Sequence, residues 1–577
     1  MKNFENINRL WCALIVESLT RQGITDFYVA PGMRNAPMIA AITYNSKANI
    51  IEGIDERSLS YRALGYSKAT NRAACLVCTS GTAMANFYPA FIEAKRDKLP
   101  LIVISSDRPK ELSLVDANQT IDQQNLFGKY SLYNLNLDAP SDSFPVSALT
   151  KAIDQLVHRA HAPIFGPVHL NLPLREPLDK TKGPIGETFK KHAQSYFEND
   201  SLETTYHKNY LTVDDSAVNL LKEKIQRANS PLFIVGKNTA KAKNEIRSFF
   251  EENQFDAFFD VSSSVKYLFP LKSMERTRGI PSMDHPEVYE YFNTHLPDLI
   301  IHLGGRLTGK HYYRYLKENP QIESILISES MDLEDTGFSY HERYECELGS
   351  FLSLLRKELT YSHQEKESCP WINFVETKRE LIENGPLSFP SISKTLIEQI
   401  PSKESVFIAN STAIRSFDSF IHPSEKKELQ IFCNRGVSGI EGMVSTTLGI
   451  SDALEKEVTL VTGDVSLFHD LNALHYFKEH KKNNLIILVN NKGGGIFTLL
   501  PIASEKEILA PMITEHNINF GAICSAFGIQ YKKVQTSNEY SQALNNYYED
   551  KEKTLIEVVL DNNENIEVYK KLKTVKL

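Results

Sequence analysis

Two short apolar runs, Val458-Thr-Leu-Val-Thr462 and Leu485-Ile-Ile-Leu-Val489, each stop at polar turn residues: Gly463-Asp464 after the first and Asn490-Asn491 after the second. Runs this short and this rich in branched residues read as strands buried on both faces of a parallel sheet. The 26 residues between Asp464 and Asn491 leave room for one crossover helix, expected over about residues 470–480. Asp464 and Asn491 then stand at strand C-termini, where open α/β sheets bind their ligands. A carboxylate and an amide oxygen there are hard donors, and Gly493-Gly-Gly495 lets backbone approach a phosphate closely. Gly-Asp alone describes many ordinary strand-end loops. Paired with Asn-Asn and the glycine run, it predicts a Mg²⁺–diphosphate site.

A chain of 577 residues has material for three or four domains with large cores. Its 42% hydrophobic and 24% charged residues are those of a globular protein, and a net charge of −8 argues against a nucleic-acid binder. No apolar run reaches the roughly 18 residues of a membrane span, and Met1-Lys-Asn-Phe-Glu-Asn-Ile7 has no signal-peptide core. The expectation is a cytoplasmic protein with no membrane anchor. Seven scattered cysteines fit reduced thiols better than a disulfide framework. Cys75-Leu-Val-Cys78 has the spacing of a redox or zinc pair, but it lies in an apolar strand without a second ligand pair, so it reads as packing.

Strand and helix patterns alternate along the chain. Strands are expected at residues 26–30, 73–78, 100–105 and 167–173, with helices near 37–44, 58–69 and 83–95. Residues 181–214 are polar with weak periodicity and read as a linker. A second block has strands at 231–235, 298–302 and 324–328; a charged segment near 361–368 leads to a third, with strands at 406–409, 430–433 and 554–560 besides the two opening runs. This is an α/β chain of three doubly wound parallel-sheet domains, placed at 1–185, 210–360 and 375–577.

Three such blocks with a late Gly-Asp and Asn-Asn pair resemble the thiamine-diphosphate-dependent enzymes, whose first domain holds the aminopyrimidine and whose last holds the diphosphate. That resemblance requires an isolated glutamate after an early strand, and Asn49-Ile-Ile-Glu-Gly-Ile-Asp55-Glu56-Arg57 supplies it in Glu56. A carboxylate bonded to the pyrimidine nitrogen favours the imino tautomer, which can remove the thiazolium proton. Taken alone, Asp55-Glu56-Arg57 is equally a helix start with acids at its positive end.

The resemblance narrows with further motifs. Pro31-Gly-Met-Arg-Asn-Ala-Pro37, Thr79-Ser-Gly-Thr-Ala83, Ser106-Asp-Arg-Pro109 and Ala117-Asn-Gln-Thr-Ile-Asp-Gln123 follow one another in the first block. Asn410-Ser-Thr-Ala-Ile-Arg415, Asn434-Arg-Gly-Val-Ser-Gly-Ile-Glu-Gly442, His469-Asp-Leu-Asn472 and Asn490-Asn-Lys-Gly-Gly-Gly-Ile-Phe497 mark the last. Together they are similar to the 2-succinyl-5-enolpyruvyl-6-hydroxy-3-cyclohexene-1-carboxylate (SEPHCHC) synthases, the MenD family, from about residue 8 to 565. In the middle block the similarity is confined to Gly305-Arg-Leu-Thr-Gly-Lys310.

The resemblance implies decarboxylation of 2-oxoglutarate and 1,4-addition of the resulting carbanion equivalent to isochorismate, in menaquinone biosynthesis. It implies thiamine diphosphate with Mg²⁺, or Mn²⁺ in its place, held by Asp464, Asn491 and the Gly493 carbonyl. Ser411, Gly439, Ile440, Gly463, Ile496 and Phe497 would contact the cofactor, with Ile440 wedging it into a bent form and Glu56 activating it. Both substrates carry two carboxylates, which arginine binds in a fixed orientation. Arg34, Arg108, Arg415 and Arg435 match the family's positions, supplemented by Asn118, Gln119 and Lys310. A homodimer or homotetramer with sites at the subunit interface is also implied.

Two positions depart from the family pattern. Met33 stands where serine is common, and His311 follows Lys310 where arginine is usual. Both lie at the substrate end and bear on the acceptor. Other readings are a different thiamine-diphosphate decarboxylase or carboligase with another anionic acceptor, a nucleotide-binding oxidoreductase, and a catalytically silent relative. The oxidoreductase is disfavoured because Gly436, Gly439 and Gly442 are spaced Gly-x-x-Gly-x-x-Gly. The silent relative is disfavoured because Glu56, Asp464 and Asn491 are all present.

Overall fold

The computed structural model describes residues 4–577 except 208, 239–241, 254, 270–277, 358, 360, 362–369 and 423–425. Its strands form three six-stranded sheets in which every pairing is parallel. The first contains β1 (Asp26–Val29), β2 (Asn49–Glu52), β3 (Ala74–Cys78), β4 (Leu101–Asp107), β5 (Asn134–Asn136) and β6 (Pro167–Pro173), in the order β2-β1-β3-β4-β6-β5. The second contains β7 (Pro231–Val235), β8 (Asp256–Phe259), β9 (Arg278–Gly279), β10 (Leu299–Leu303), β11 (Glu323–Ser328) and β12 (Glu342–Glu345), ordered β12-β11-β10-β7-β8-β9. The third contains β13 (Ser405–Ile408), β14 (Gln430–Phe432), β15 (Val458–Gly463), β16 (Leu485–Asn490), β17 (Gln530–Val534) and β18 (Thr554–Val559), ordered β14-β13-β15-β16-β18-β17. In each sheet the order reverses direction along the chain, which creates a switch point at the strand C-termini.

Each sheet is sandwiched because its central strands are apolar on both faces. In the first, the Ile7–Arg21 and Val146–His161 helices cover one face, with Phe27, Cys75 and Ile102 beneath them. The Glu56–Thr70 and Tyr88–Asp97 helices cover the other, over Tyr28, Leu76 and Val103. The six described cysteines are buried, and burial pushes the Cys75 and Cys78 thiols well up, as packing residues require.

The chain divides into two compact units. One comprises Met1–Asn209 with Asn434–Glu455 and Asp470–Phe477; the other comprises Tyr210–Cys433, Lys456–His469 and Lys478–Leu577. In the first unit the Met443–Leu454 helix lies directly on the Glu56–Thr70 helix. A Cβ on Gly449 would fall 1.8 Å from the Arg62 carbonyl oxygen, and one on Gly65 would fall 2.1 Å from that of Thr446. Backbone contact of this kind needs glycine on both helices. Arg62 Nε and Nη2 donate to the two Asp452 carboxylate oxygens at 2.7 and 3.1 Å, and the Ser58 and Ser445 hydroxyls meet at 2.6 Å.

Several expectations need correction. The linker expected over 181–214 contains the Glu187–Glu198 helix, whose Phe189, Ala193 and Tyr196 enter the first core. Their i, i+4, i+7 spacing is helical, but charged and polar neighbours mask it. The helix expected over 83–95 is two, Ala83–Asn86 and Tyr88–Asp97, with Pro89 in the first turn of the second. The crossover expected over 470–480 is likewise two short helices, Asp464–His469 and Ala473–Glu479. Strands β5, β8, β9, β12 and β17 were not anticipated; β5, β12 and β17 are edge strands without a continuous apolar run. Of the charged segment at 361–368, residues 362–368 lie outside the described residues.

Candidate active site

In the second unit, β15 ends at Gly463 and Asp464 opens the following helix. A Cβ on Gly463 would meet nothing within 4 Å, so this strand end is open to approach. The Asp464 side chain is buried; Oδ1 accepts the Val465 N–H at 2.7 Å and Oδ2 the Gly493 N–H at 3.0 Å. Burial raises its pKa, against the opposing pull of those two peptide donors and of His516. Such a carboxylate suits a cation that would replace its lost hydration.

Asn491 follows β16 and donates Nδ2 to Asn562 Oδ1 at 3.4 Å, which orients its amide. Its neighbour Asn490 has a structural task instead, donating to Glu557 Oε1 at 2.6 Å. Gly493 has φ +142, and a Cβ there would meet the Ile513 carbonyl oxygen at 2.4 Å. Its own carbonyl accepts the Gly495 N–H at 2.8 Å and keeps a second lone pair. Ile496 and Phe497 lie half-buried on the 3₁₀ turn Gly495–Leu499.

Ser411 precedes the Thr412–Phe420 helix in a strained conformation, φ +67 and ψ −130, and its side chain makes no capping bond. The Ile414 N–H is taken by the Ala409 carbonyl at 3.1 Å, which leaves the Thr412 and Ala413 N–H groups at this helix start as candidate anion donors. Arg415 Nη1 donates to the Ser411 carbonyl at 2.7 Å, tying that turn together. Lys310 belongs to the middle sheet's loops, immediately before the His311–Glu318 helix. The peptide N–H groups of Lys310 and His311 and the His311 Nδ1 all converge on Asp284 Oδ1, at 3.1, 3.1 and 3.0 Å. Burial works against the Asp284 charge, yet these donors hold its carboxyl below the ordinary range. The departure at His311 thus has a local acidic partner that sequence did not disclose.

In the first unit, Glu56 is the first residue of its helix and Asp55 is the N-cap, accepting the Ser58 N–H at 3.0 Å. The helix-start reading therefore holds for both acids, Asp55 as the cap and Glu56 as a half-buried acid in the first turn. Glu56 is near enough to Cys78, at the end of β3, to add to the upward shift that burial imposes on that thiol. The loop carrying Arg435, Gly439 and Ile440 belongs to this unit too.

The strand ends of the same sheet bring Arg34, Arg108, Asn118 and Gln119 together. Arg34 is buried, donates Nη1 to the Leu174 carbonyl at 2.7 Å and lies 3.4 Å from Glu176. Burial, then the neighbouring Arg108 charge, lower its pKa. Arg108 donates Nε and Nη2 to the Asn118 carbonyl at 3.2 and 2.9 Å. Gln119, at φ +59, donates to the Ser80 carbonyl at 2.9 Å. Met33 is 62% exposed.

Orphaned buried atoms test the fit of both regions to polar ligands. Arg34 Nε and the hydroxyls of Ser80 and Ser106 are buried without hydrogen-bond partners among the described residues. So is His516 Nε2, which lies 3.3 Å from Asp464 Oδ2 without hydrogen-bond alignment. Buried polar groups are normally satisfied, so these clusters suit an anionic ligand at the first sheet and a diphosphate at the third. The carboxylate of Asp464, the amide of Asn491 and the carbonyl of Gly493 are hard oxygen donors of the kind a hard dication takes, with the His516 imidazole standing beside Asp464. Sequence reasoning missed Ser80, Ser106 and His516. The two serines sat unremarked within quoted motifs, and His516 lies in a segment with no periodic signal.

Parallel-sheet domains with these loops at both ends of the chain are those of the thiamine pyrophosphate enzymes. The family models described as thiamine pyrophosphate enzyme, N-terminal and C-terminal TPP binding domains, match residues 12–126 and 419–558. Curated relatives extend over almost the whole chain. A protein of Syntrophus aciditrophicus (strain SB) named 2-succinyl-5-enolpyruvyl-6-hydroxy-3-cyclohexene-1-carboxylate synthase is 34% identical, covering 99% of each chain. Proteins with that name from Chlorobium phaeobacteroides (strain BS1) and Chlorobaculum tepidum are 33% and 32% identical, each across 99% of this chain and 98% and 97% of their own. The chain belongs to the SEPHCHC synthase family.

Proposed function

We propose that this chain is a transferase that makes SEPHCHC in menaquinone biosynthesis, decarboxylating 2-oxoglutarate and adding the four-carbon unit 1,4 to isochorismate. The observation that carries the reading is Asp464, a buried carboxylate at a strand end of a chain 34% identical to a protein named for this synthesis. Thiamine diphosphate, when bound, supplies the carbon nucleophile and accepts the electrons released as carbon dioxide leaves. Asp464, Asn491 and the Gly493 carbonyl would hold Mg²⁺, with Ser411 and the helix start beside it receiving the diphosphate. Gly439, Ile440, Gly463, Ile496 and Phe497 would shape the cofactor's surroundings, and Glu56 would bind the pyrimidine nitrogen. Arg34, Arg108, Arg415 and Arg435, with Asn118, Gln119 and Lys310, would orient the substrate carboxylates. No described helix is long and apolar enough to cross a membrane. A cytoplasmic homodimer or homotetramer, and domain limits near 185, 210, 360 and 375, complete the proposal.

The test is carbon dioxide release from 2-oxoglutarate by purified protein with thiamine diphosphate and Mg²⁺, with and without isochorismate. Absence of release overturns the donor assignment. Release without isochorismate consumption overturns the acceptor and returns the chain to another carboligase of the same class.

A further inference from the structure

The loop from Asn434 to Gly442 holds an unusual shape: Ser438, a non-glycine residue, has φ +59, and Gly442 has φ +72. Backbone in this region persists only where surrounding contacts over-determine it. Both loop ends are gripped within the first unit. At the far end the Tyr61 hydroxyl donates to Glu441 Oε1 at 3.0 Å, and the Tyr61 ring occupies the space that a Cβ on Gly442 would need. At the near end Glu93, on the Tyr88–Asp97 helix and 1% exposed, receives two consecutive peptide N–H groups. Gly436 N–H meets Glu93 Oε1 and Val437 N–H meets Oε2, each at 2.7 Å. Charge-assisted bonds this short are among the strongest a carboxylate makes to backbone. A Cβ on Gly436 would fall 2.6 Å from the Glu93 carbonyl oxygen, so helix and loop are in backbone contact. Between the two grips, Val437 and Ser438 are exposed and Gly439 and Ile440 are half-buried.

We infer that Glu93 is a positioning residue for catalysis: it acts through the loop, setting Arg435 for a substrate carboxylate and Gly439–Ile440 for the cofactor. The inference rests on the proposed roles of those loop residues. Glutamine in place of Glu93 keeps the volume but offers one acceptor where two N–H groups converge, so one donor is left facing an amide NH₂. Glu93→Gln is expected to raise the KM for 2-oxoglutarate and the Kd of thiamine diphosphate about tenfold each, corresponding to loss of one good hydrogen bond to a charged group.

Three measurements on the full-length protein decide it. Titration calorimetry with thiamine diphosphate and Mg²⁺ reads the cofactor arm without turnover, so it stands even if 2-oxoglutarate is the wrong donor. A double-mutant cycle of Glu93→Gln with Arg435→Ala reads coupling: the double variant should have the KM of Arg435→Ala alone, whereas independent, multiplying effects would mean that Glu93 is merely structural. Gly436→Ala disturbs the contact from the loop side and should reproduce the KM and Kd changes, covering the case in which Glu93→Gln does not fold. Unchanged cofactor Kd and KM in either folded variant would overturn the inference.

Discussion

Asp464 Oδ2 accepts the Gly493 N–H at 3.0 Å, joining the turn after β15 to the turn after β16. One oxygen of the carboxylate is thereby tied to the glycine turn whose carbonyl is a proposed metal ligand, so the two donors are set relative to each other by the protein. Asp464→Ala removes the charge and frees that turn. Thiamine diphosphate affinity in the presence of Mg²⁺ should fall by more than ~100-fold, read by calorimetry. Wild-type affinity in this variant would take Asp464 out of the metal site.

Glu56→Gln preserves the shape of the first helical turn, because the capping bond is made by Asp55 rather than by Glu56. The variant should bind thiamine diphosphate within about threefold of wild type while turnover falls ~10²–10⁴-fold, the range of a lost acid–base group. Activity close to wild type would leave Glu56 with no part in cofactor activation.

Burial lowers four histidines well below the ordinary 6.5: His169 to about 3, His302 to about 4, His285 to about 4 with the Lys378 charge adding to the effect, and His422 with the Lys266 and Lys378 charges adding. In each, the folded state binds its proton less readily than the unfolded state. Their contribution to stability is therefore fully present above pH 6.5 and is lost as pH falls toward about 4, by roughly 1.4 kcal/mol per pH unit for each histidine. Urea midpoints should drop between pH 7.5 and 5. Ring-proton NMR titrations placing these groups near 6.5 in the folded protein would show that the rings are charged or exposed.

Gly449→Ala places a methyl group 1.8 Å from the Arg62 carbonyl oxygen, between two helices that cannot separate without breaking the Arg62–Asp452 pair. A cost of about 1–3 kcal/mol is expected, visible as a Tm lowered by several degrees in a thermal melt. An unchanged Tm would mean the helices are not in backbone contact. Because the site loops hang from the same helices, cofactor affinity should weaken along with stability.

The parallel sheets were legible in sequence because buried strands need unbroken apolar runs and must end in turn residues, which makes β3, β4, β15 and β16 unmistakable. The same logic put Asp464 and Asn491 at strand ends. Edge strands β5, β12 and β17 escaped, since one neighbour suffices for their hydrogen bonds and their side chains stay partly polar. The Glu187–Glu198 helix escaped because only Phe189, Ala193 and Tyr196 of its residues are buried.

What the sequence by itself determined is chemistry with local addresses: which residues bear charge, where glycine permits close approach, and which strand each candidate follows. Only the tertiary structure decided partnership. Glu93 under the peptide groups of Gly436 and Val437, Asp284 under His311, and His516 beside Asp464 each join residues far apart in the chain. The physical reason is that a hydrogen bond or a desolvated charge depends on distance and burial in space, and periodicity along a strand or helix carries neither.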